Sequence, residues 1–266
     1  MKINSFTKIK KLKNFLIFCI FFFSISNNSF GSQSRNLTVF SEPNMSVALS
    51  KIARLFSQKN NVIVSINFSS SFDLISEIDM GAPANVFVSA HPQIIENLRQ
   101  KGLVDVYNVA YIASDELVLS TSKSNNHFPI KLLKKNINLE DSLKILDENK
   151  LSLIVDHEGV SSGIYSKKII QNLSLGNIKI FNKLPEDKSS LIRDIENNKE
   201  SYGLLFKSQL QKNNNLRILA TQTDKNIFYQ AFVIAGDRMD VAREFLNYLK
   251  TPNSKNILRD SGFIVE

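Results

Sequence analysis

The chain has 266 residues, with 33 Lys+Arg against 25 Asp+Glu, a formal charge of +8 and a single cysteine. One cysteine excludes an intramolecular disulfide framework, so stability rests on an ordinary apolar core, and the length allows one large domain or two smaller ones. Five of the lysines lie in Met1–Lys13, and without them the charge falls to +3; no stripe of basic residues interleaved with aromatics remains, which excludes nucleic acid as a partner.

The first residues read as a leader. Met1 to Lys13 carries no acid, Phe15 to Phe23 is an unbroken apolar run, and the small residues Ser29 and Gly31 follow at signal-peptidase spacing. The run is too short to span a bilayer as a mature helix. The expectation is a cleaved secretory signal over residues 1–31 and a periplasmic product. Cys19 lies inside the run behind Leu16, Ile17 and Phe18, which lack the small residues of a lipoprotein cleavage site.

Leu37 to Phe40 is a short apolar strand. It leads through Ser41-Glu42-Pro43-Asn44 into a helix from about Met45 to Gln58, with Val47, Leu49, Ile52, Ala53 and Phe56 at helical spacing. Asn44 is read as its N-cap. Val62 to Phe68 is a second strand, ending in Ser69-Ser70-Ser71, and a helix follows at Phe72 to Met80 with Leu74, Ile75 and Ile78 inward. Gly81-Ala82-Pro83 stops it. Val86 to Val88 is a third strand and Pro92 to Lys101 a third helix. This succession predicts a parallel sheet with helical crossovers, in which ligands collect beyond the carboxyl ends of the strands.

Glu116 to Ser120 is a strand that crosses into a second lobe. A helix follows within Leu139 to Leu151. The stretch Leu153 to Tyr165, LIVDHEGVSSGIY, then repeats the earlier unit: an apolar strand, a loop, two small hydroxyl residues (Ser161, Ser162), Gly163 and an amphipathic run to Leu173. Unpaired N–H groups at such a helix start, with the positive end of the dipole behind them, hold anions without a charged side chain. Strands at Asn177 to Phe181, Tyr202 to Phe206, Leu216 to Ala220 and Ile227 to Ala235 follow, with helices at Ser189 to Asn198, Arg238 to Lys250 and Ser254 to Asp260. Pro252 marks a break between the last two helices. The predicted architecture is α/β with two lobes: residues 32–113 plus 232–266, and residues 114–231. Each is a mixed, mostly parallel sheet flanked by helices, with the ligand cleft between them.

Catalytic readings have little to stand on. His91, His127 and His157 show no metal-binding spacing, so neither metal nor cofactor is expected. Asp156, His157 and Ser161 invite a hydrolase triad, but no G-x-S-x-G elbow exists and adjacent residues at a strand end point to opposite faces.

The succession LTVF, FSSSFDL, GAPANVFVSA, KGLVD, DHEGVSSGIYSKK, LPED, YGLLF and SGF resembles the periplasmic molybdate-binding proteins of ABC importers over roughly residues 36–264. That resemblance implies a type II periplasmic-binding-protein fold, a monomeric receptor for molybdate or tungstate, a membrane permease as partner, and an oxyanion held by hydroxyls and backbone N–H groups. Carried over residue by residue, the ligand set is Asn44, Ser71, Ser162, Lys188 and Phe206, with Ser70 and Ser161 as secondary candidates. Three departures stand out. Asn44 replaces the family serine and follows Glu42, a carboxylate that would repel a dianion. Lys188 is cationic, and Phe206 lacks the family tyrosine's hydroxyl. They keep open a different organic or zwitterionic ligand on the same fold.

Overall fold

A computed structural model describes residues 35–184, 190–198, 200–211, 213, 215–222 and 227–266. The expected leader, residues 1–31, lies outside them, as does Lys188. Two five-stranded sheets organise the described chain. The first comprises β1 (Arg35–Ser41), β2 (Val62–Phe68), β3 (Val86–Ser89), β4 (Val104–Asp115) and β10 (Ile227–Ile234), in the order β2-β1-β3-β10-β4. The second holds β5 (Leu117–Ser122), β6 (Ser152–Val155), β7 (Lys179–Asn182), β8 (Ser201–Phe206) and β9 (Leu216–Thr221), in the order β7-β6-β8-β5-β9.

Both sheets are built alike. β1 runs parallel to β2 and β3, with β10 antiparallel to β3 and β4. β6 runs parallel to β7 and β8, with β5 antiparallel to β8 and β9. Each parallel step is made by a crossover helix, as the chain geometry of parallel pairing demands. In the first lobe these are α1 (Ser46–Asn60), α2 (Ser71–Asp79) and, leading to β4, α3 (Pro92–Gln100). In the second they are α5 (Ser161–Asn172) and α6 (Leu191–Asn197), while α4 (Leu139–Glu148) leads from β5 to the oppositely directed β6, and the chain closes with α7 (Met239–Leu249) and α8 (Pro252–Asp260).

The apolar faces explain the packing. α1 buries Ala48, Leu49, Ile52, Ala53 and Phe56 at intervals of three and four, while Val47 turns 55% of its surface to solvent. Phe56 meets Phe245 of α7 edge-on at 5.1 Å. β3, β5 and β8 are buried along their whole length, as strands covered on both faces must be. Across the junction of the lobes, Phe206 of β8 meets Tyr229 of β10 edge-on with centroids 6.3 Å apart.

Several elements differ from the sequence expectation. β4 was not anticipated: Asp105, Asn108 and the exposed Tyr107 and Tyr111 interrupt its apolar alternation, because it is an edge strand with solvent on one side. The first helix is preceded by a short 3-10 turn, Pro43–Met45, that follows Glu42, and Met45 rather than Asn44 holds the cap position of the helix itself. α5 begins at Ser161 because both serines already belong to its first turn. Pro252 is the first residue of α8, where a missing N–H costs nothing, and Thr251 caps that helix by accepting from Ser254 N. The chain passes to the second sheet at Glu116, and every residue of β10 lies in the first sheet.

Candidate functional site

Three chain segments converge where the strands of the two sheets end. After β1, the extended backbone of Glu42 (φ −70°, ψ 151°) and the ring of Pro43 turn the chain inward. The Glu42 side chain is thereby buried, with 2% of its surface exposed. At the end of β2, Ser70 caps α2: its hydroxyl oxygen accepts from Asp73 N (3.1 Å) while its proton goes to Asp73 Oδ2 (2.7 Å). That frees the next residue, Ser71, from capping. Ser89 ends β3 and is oriented by His91 N, which donates to its hydroxyl at 2.9 Å.

From the second lobe comes the start of α5. Its cap residue, Val160, has no side-chain acceptor, and its first turn holds no acid. The helix can begin this close to the preceding loop only because residue 163 is glycine. A Cβ there would lie 2.0 Å from the His157 carbonyl oxygen and 2.7 Å from that of Asp156.

All of these donors meet one acceptor, the Glu42 carboxylate. Oε1 accepts from Ser71 Oγ (2.5 Å), Ser89 Oγ (2.9 Å) and Ser161 Oγ (2.6 Å), and Oε2 accepts from Ser161 N (3.1 Å). Among the described residues no lysine or arginine pairs with it. The charge is held by neutral dipoles from both lobes, which is how charge-assisted bonds hold a buried anion. Two further contacts join the lobes here: Tyr165 OH donates to Ala90 O (3.3 Å), and His91 Nε2 lies 3.0 Å from Glu158 O.

In front of the carboxylate opens a cleft of about 550 Å³, walled by Glu42, Asn44, Ser70, Ser162, Lys183 and Phe206. Ser71, Ser89 and Ser161 are fully buried behind it. Asn44 spends its side-chain amide on the hydroxyl of Tyr229. Burial pushes that phenol well above its ordinary range, and the charges of Asp115 and Glu42 push in the same direction. Ser162 Oγ donates to Asp156 Oδ2 (2.6 Å). Burial raises the Asp156 carboxyl and Glu42 adds to this, against the Ser162 bond and the charges of His157 and Lys183. Lys183 pairs with Asp194. Phe206 packs against the rings of Tyr165 and Tyr229, each at 6.3 Å. Of the residues picked from sequence, Ser71 and Ser161 thus face the anion, Asn44, Ser70, Ser162 and Phe206 line the cleft beside it, and Lys188 is outside the described residues.

Sequence reasoning missed Ser89, and it saw in Glu42 a repulsive neighbour rather than the bound group. The signal for Ser89 was its place at the carboxyl end of the third strand, in the run VFVSA. The triad reading is not supported: Ser161 is committed to Glu42, Asp156 receives Ser162, and His157 Nδ1 accepts from Gly159 N at 3.1 Å. Among the described residues no cluster of metal-ligating side chains forms.

Comparison with known proteins agrees with this architecture. The chain is similar to the molybdate-binding protein ModA of Escherichia coli (strain K12), 24% identical over 251 residues, spanning 92% of this chain and 94% of that one. Its fold resembles the periplasmic molybdate-binding protein of Azotobacter vinelandii (TM-score 0.66, 19% identity, 86% of this chain and 99% of that one). It also resembles the tungstate ABC transporter structure from Geobacter sulfurreducens (TM-score 0.70, 14% identity, 85% of this chain and 98% of that one). These neighbours share the type II periplasmic-binding-protein fold. The profile of the bacterial extracellular solute-binding proteins matches residues 37–264, and the chain belongs to that family.

Proposed function

We propose that this protein is the extracytoplasmic receptor of an ABC importer, and that it captures a small tetrahedral oxyanion, molybdate or tungstate, between its two lobes. It is a binder and not an enzyme; the oxyanion is cargo. The observation that carries the reading is the set of neutral donors from both lobes around a single anionic group, Ser71 and Ser89 on one side and the N–H and hydroxyl of Ser161 on the other. Fixed dipoles suit a cargo that must be released. They stabilise a desolvated anion while the lobes are together, and the anion is rehydrated once they part. The choice of molybdate or tungstate follows the relatives with which the chain shares its length and fold. The leader at residues 1–31 would deliver a monomer to the periplasm, where the closed form docks on a membrane permease.

Calorimetric titration against molybdate, tungstate, sulfate and phosphate tests this. Saturable heat is expected from molybdate and tungstate, with sulfate and phosphate weaker. Absence of binding by all four up to millimolar concentration overturns the reading.

A further inference from the structure

We propose that Glu42 is a resident surrogate ligand. In the cargo-free protein its carboxylate occupies the oxyanion position and latches the lobes together, and an incoming oxyanion must displace it. This rests on the receptor reading above and specifies how that same site is regulated.

Three observations carry it. The carboxylate lies on the first lobe, yet both its oxygens accept from Ser161 of the second, so it bridges the two halves as a bound ligand would. Its other partners, Ser71 and Ser89, lie on two further elements of the first lobe, so the donors surround it rather than touch it from one side. Finally, Glu42 stands between the open cleft and these donors: it lines the cleft, while Ser71, Ser89 and Ser161 are each fully buried behind it. A solute in the cleft therefore cannot reach the donors while the carboxylate stays. Two anions cannot share a site without a cation between them, so occupancy by one excludes the other. The side chain can leave without unfolding anything, because it springs from a short turn at a strand end rather than from a helix interior.

The test is a titration of the wild-type protein, Glu42→Ala and the near-isosteric Glu42→Gln with molybdate and tungstate, repeated with Ser71→Ala alone and combined with Glu42→Ala. A displaced competitor predicts at least tenfold tighter oxyanion binding in Glu42→Ala and a smaller gain in Glu42→Gln. It also predicts non-additivity, since removing Ser71 weakens competitor and cargo alike in the wild type. Ser71→Ala should change wild-type affinity less than threefold but cost tenfold or more in the Glu42→Ala background. Equal costs in the two backgrounds would reduce Glu42 to a nearby charge and overturn the proposal. So would wild-type binding as tight as that of both Glu42 variants, and in either case the receptor reading stands. If no variant binds any oxyanion, both readings fall together. Should Glu42→Ala not fold, Glu42→Gln with and without Ser71→Ala carries the same comparison.

Discussion

The starts of α2 and α5 hold the same pair of adjacent serines at the same kind of strand end, and they are completed in opposite ways. α2 is self-sufficient: Ser70 caps it, Asp73 supplies a negative charge in its first turn, and Ser71 is left over to donate outward. α5 has neither a capping side chain nor an acid of its own, and its first N–H is satisfied by a carboxylate from the other lobe. In both helices the serine that faces the anion is the first helical residue. Its neighbour is occupied locally, Ser70 with Asp73 and Ser162 with Asp156. A helix start thus becomes a receptor for an outside anion to the extent that it lacks its own cap, and the two halves of the pocket divide that labour.

The comparison can be broken most severely at Gly163. Replacing it by alanine drives a methyl group into three backbone atoms, 2.0 to 2.7 Å away, that cannot rotate aside. We expect ~3 kcal/mol or more of lost stability in urea unfolding, as for severe overpacking. Oxyanion binding should be lost as well, because only the α5 half is displaced.

Next in size is the buried carboxyl at the passage between the lobes. Asp115 accepts from Glu116 N (2.9 Å) and Ser208 N (3.2 Å), while Oδ2 is buried with no partner among the described residues. Burial pushes its pKa from 3.8 to about 6. A raised carboxyl pKa means that the folded state prefers the protonated form. Its contribution is complete below pH 3.8 and is lost as pH climbs through about 6, by up to ~3 kcal/mol over roughly two units. Asp115→Asn keeps the acceptor for both N–H groups and removes the charge. Unfolding free energies measured from pH 4.5 to 7.5 should show a flatter profile and a more stable variant at the upper end. A wild-type curve that rises across this window would contradict the assignment.

The caps themselves give the smaller effects. Ser70→Ala should cost about 1 kcal/mol, the usual loss of an N-cap, with oxyanion affinity changing less than that of Ser71→Ala in a Glu42→Ala background. Val160→Ser sharpens the contrast by giving α5 the side-chain acceptor it lacks. A gain of about 0.5 kcal/mol in thermal unfolding is expected, and no gain would mean that the Glu42 carboxylate already satisfies the helix start in full.

Much of this fold was legible in the residues. The apolar runs at 37–40, 62–68 and 202–206 and the spacing of Leu49, Ile52, Ala53 and Phe56 are periodic, and burial on one face or both produced that periodicity. A serine cluster before a helix is ordinarily just a cap, as Ser70 is, and it was the family resemblance that pointed to Ser71. What escaped was set by partners distant in sequence. Glu42 meets residues 29, 47 and 119 positions away, and no local pattern distinguishes a carboxylate that repels an anion from one that replaces it. That Ser161, rather than Ser162, bonds Glu42 was hidden for a subtler reason. Which of two adjacent serines points outward depends on where the first helical turn begins, and the loop text before α5 does not fix that to one residue.

The chain passes from the first sheet to the second at Glu116, and beside that passage Gln222 N donates to Leu117 O (2.9 Å) in the second sheet while Ile227 pairs with Asp115 in the first. Within the first lobe the carboxyl-terminal segment braces this passage, Ile264 bridging Ser114 in both directions just before the crossing. Parting the lobes about this passage would draw Ser161 away from the Glu42 carboxylate and leave Ser71 and Ser89 beside it, so the latch would break on its second-lobe side.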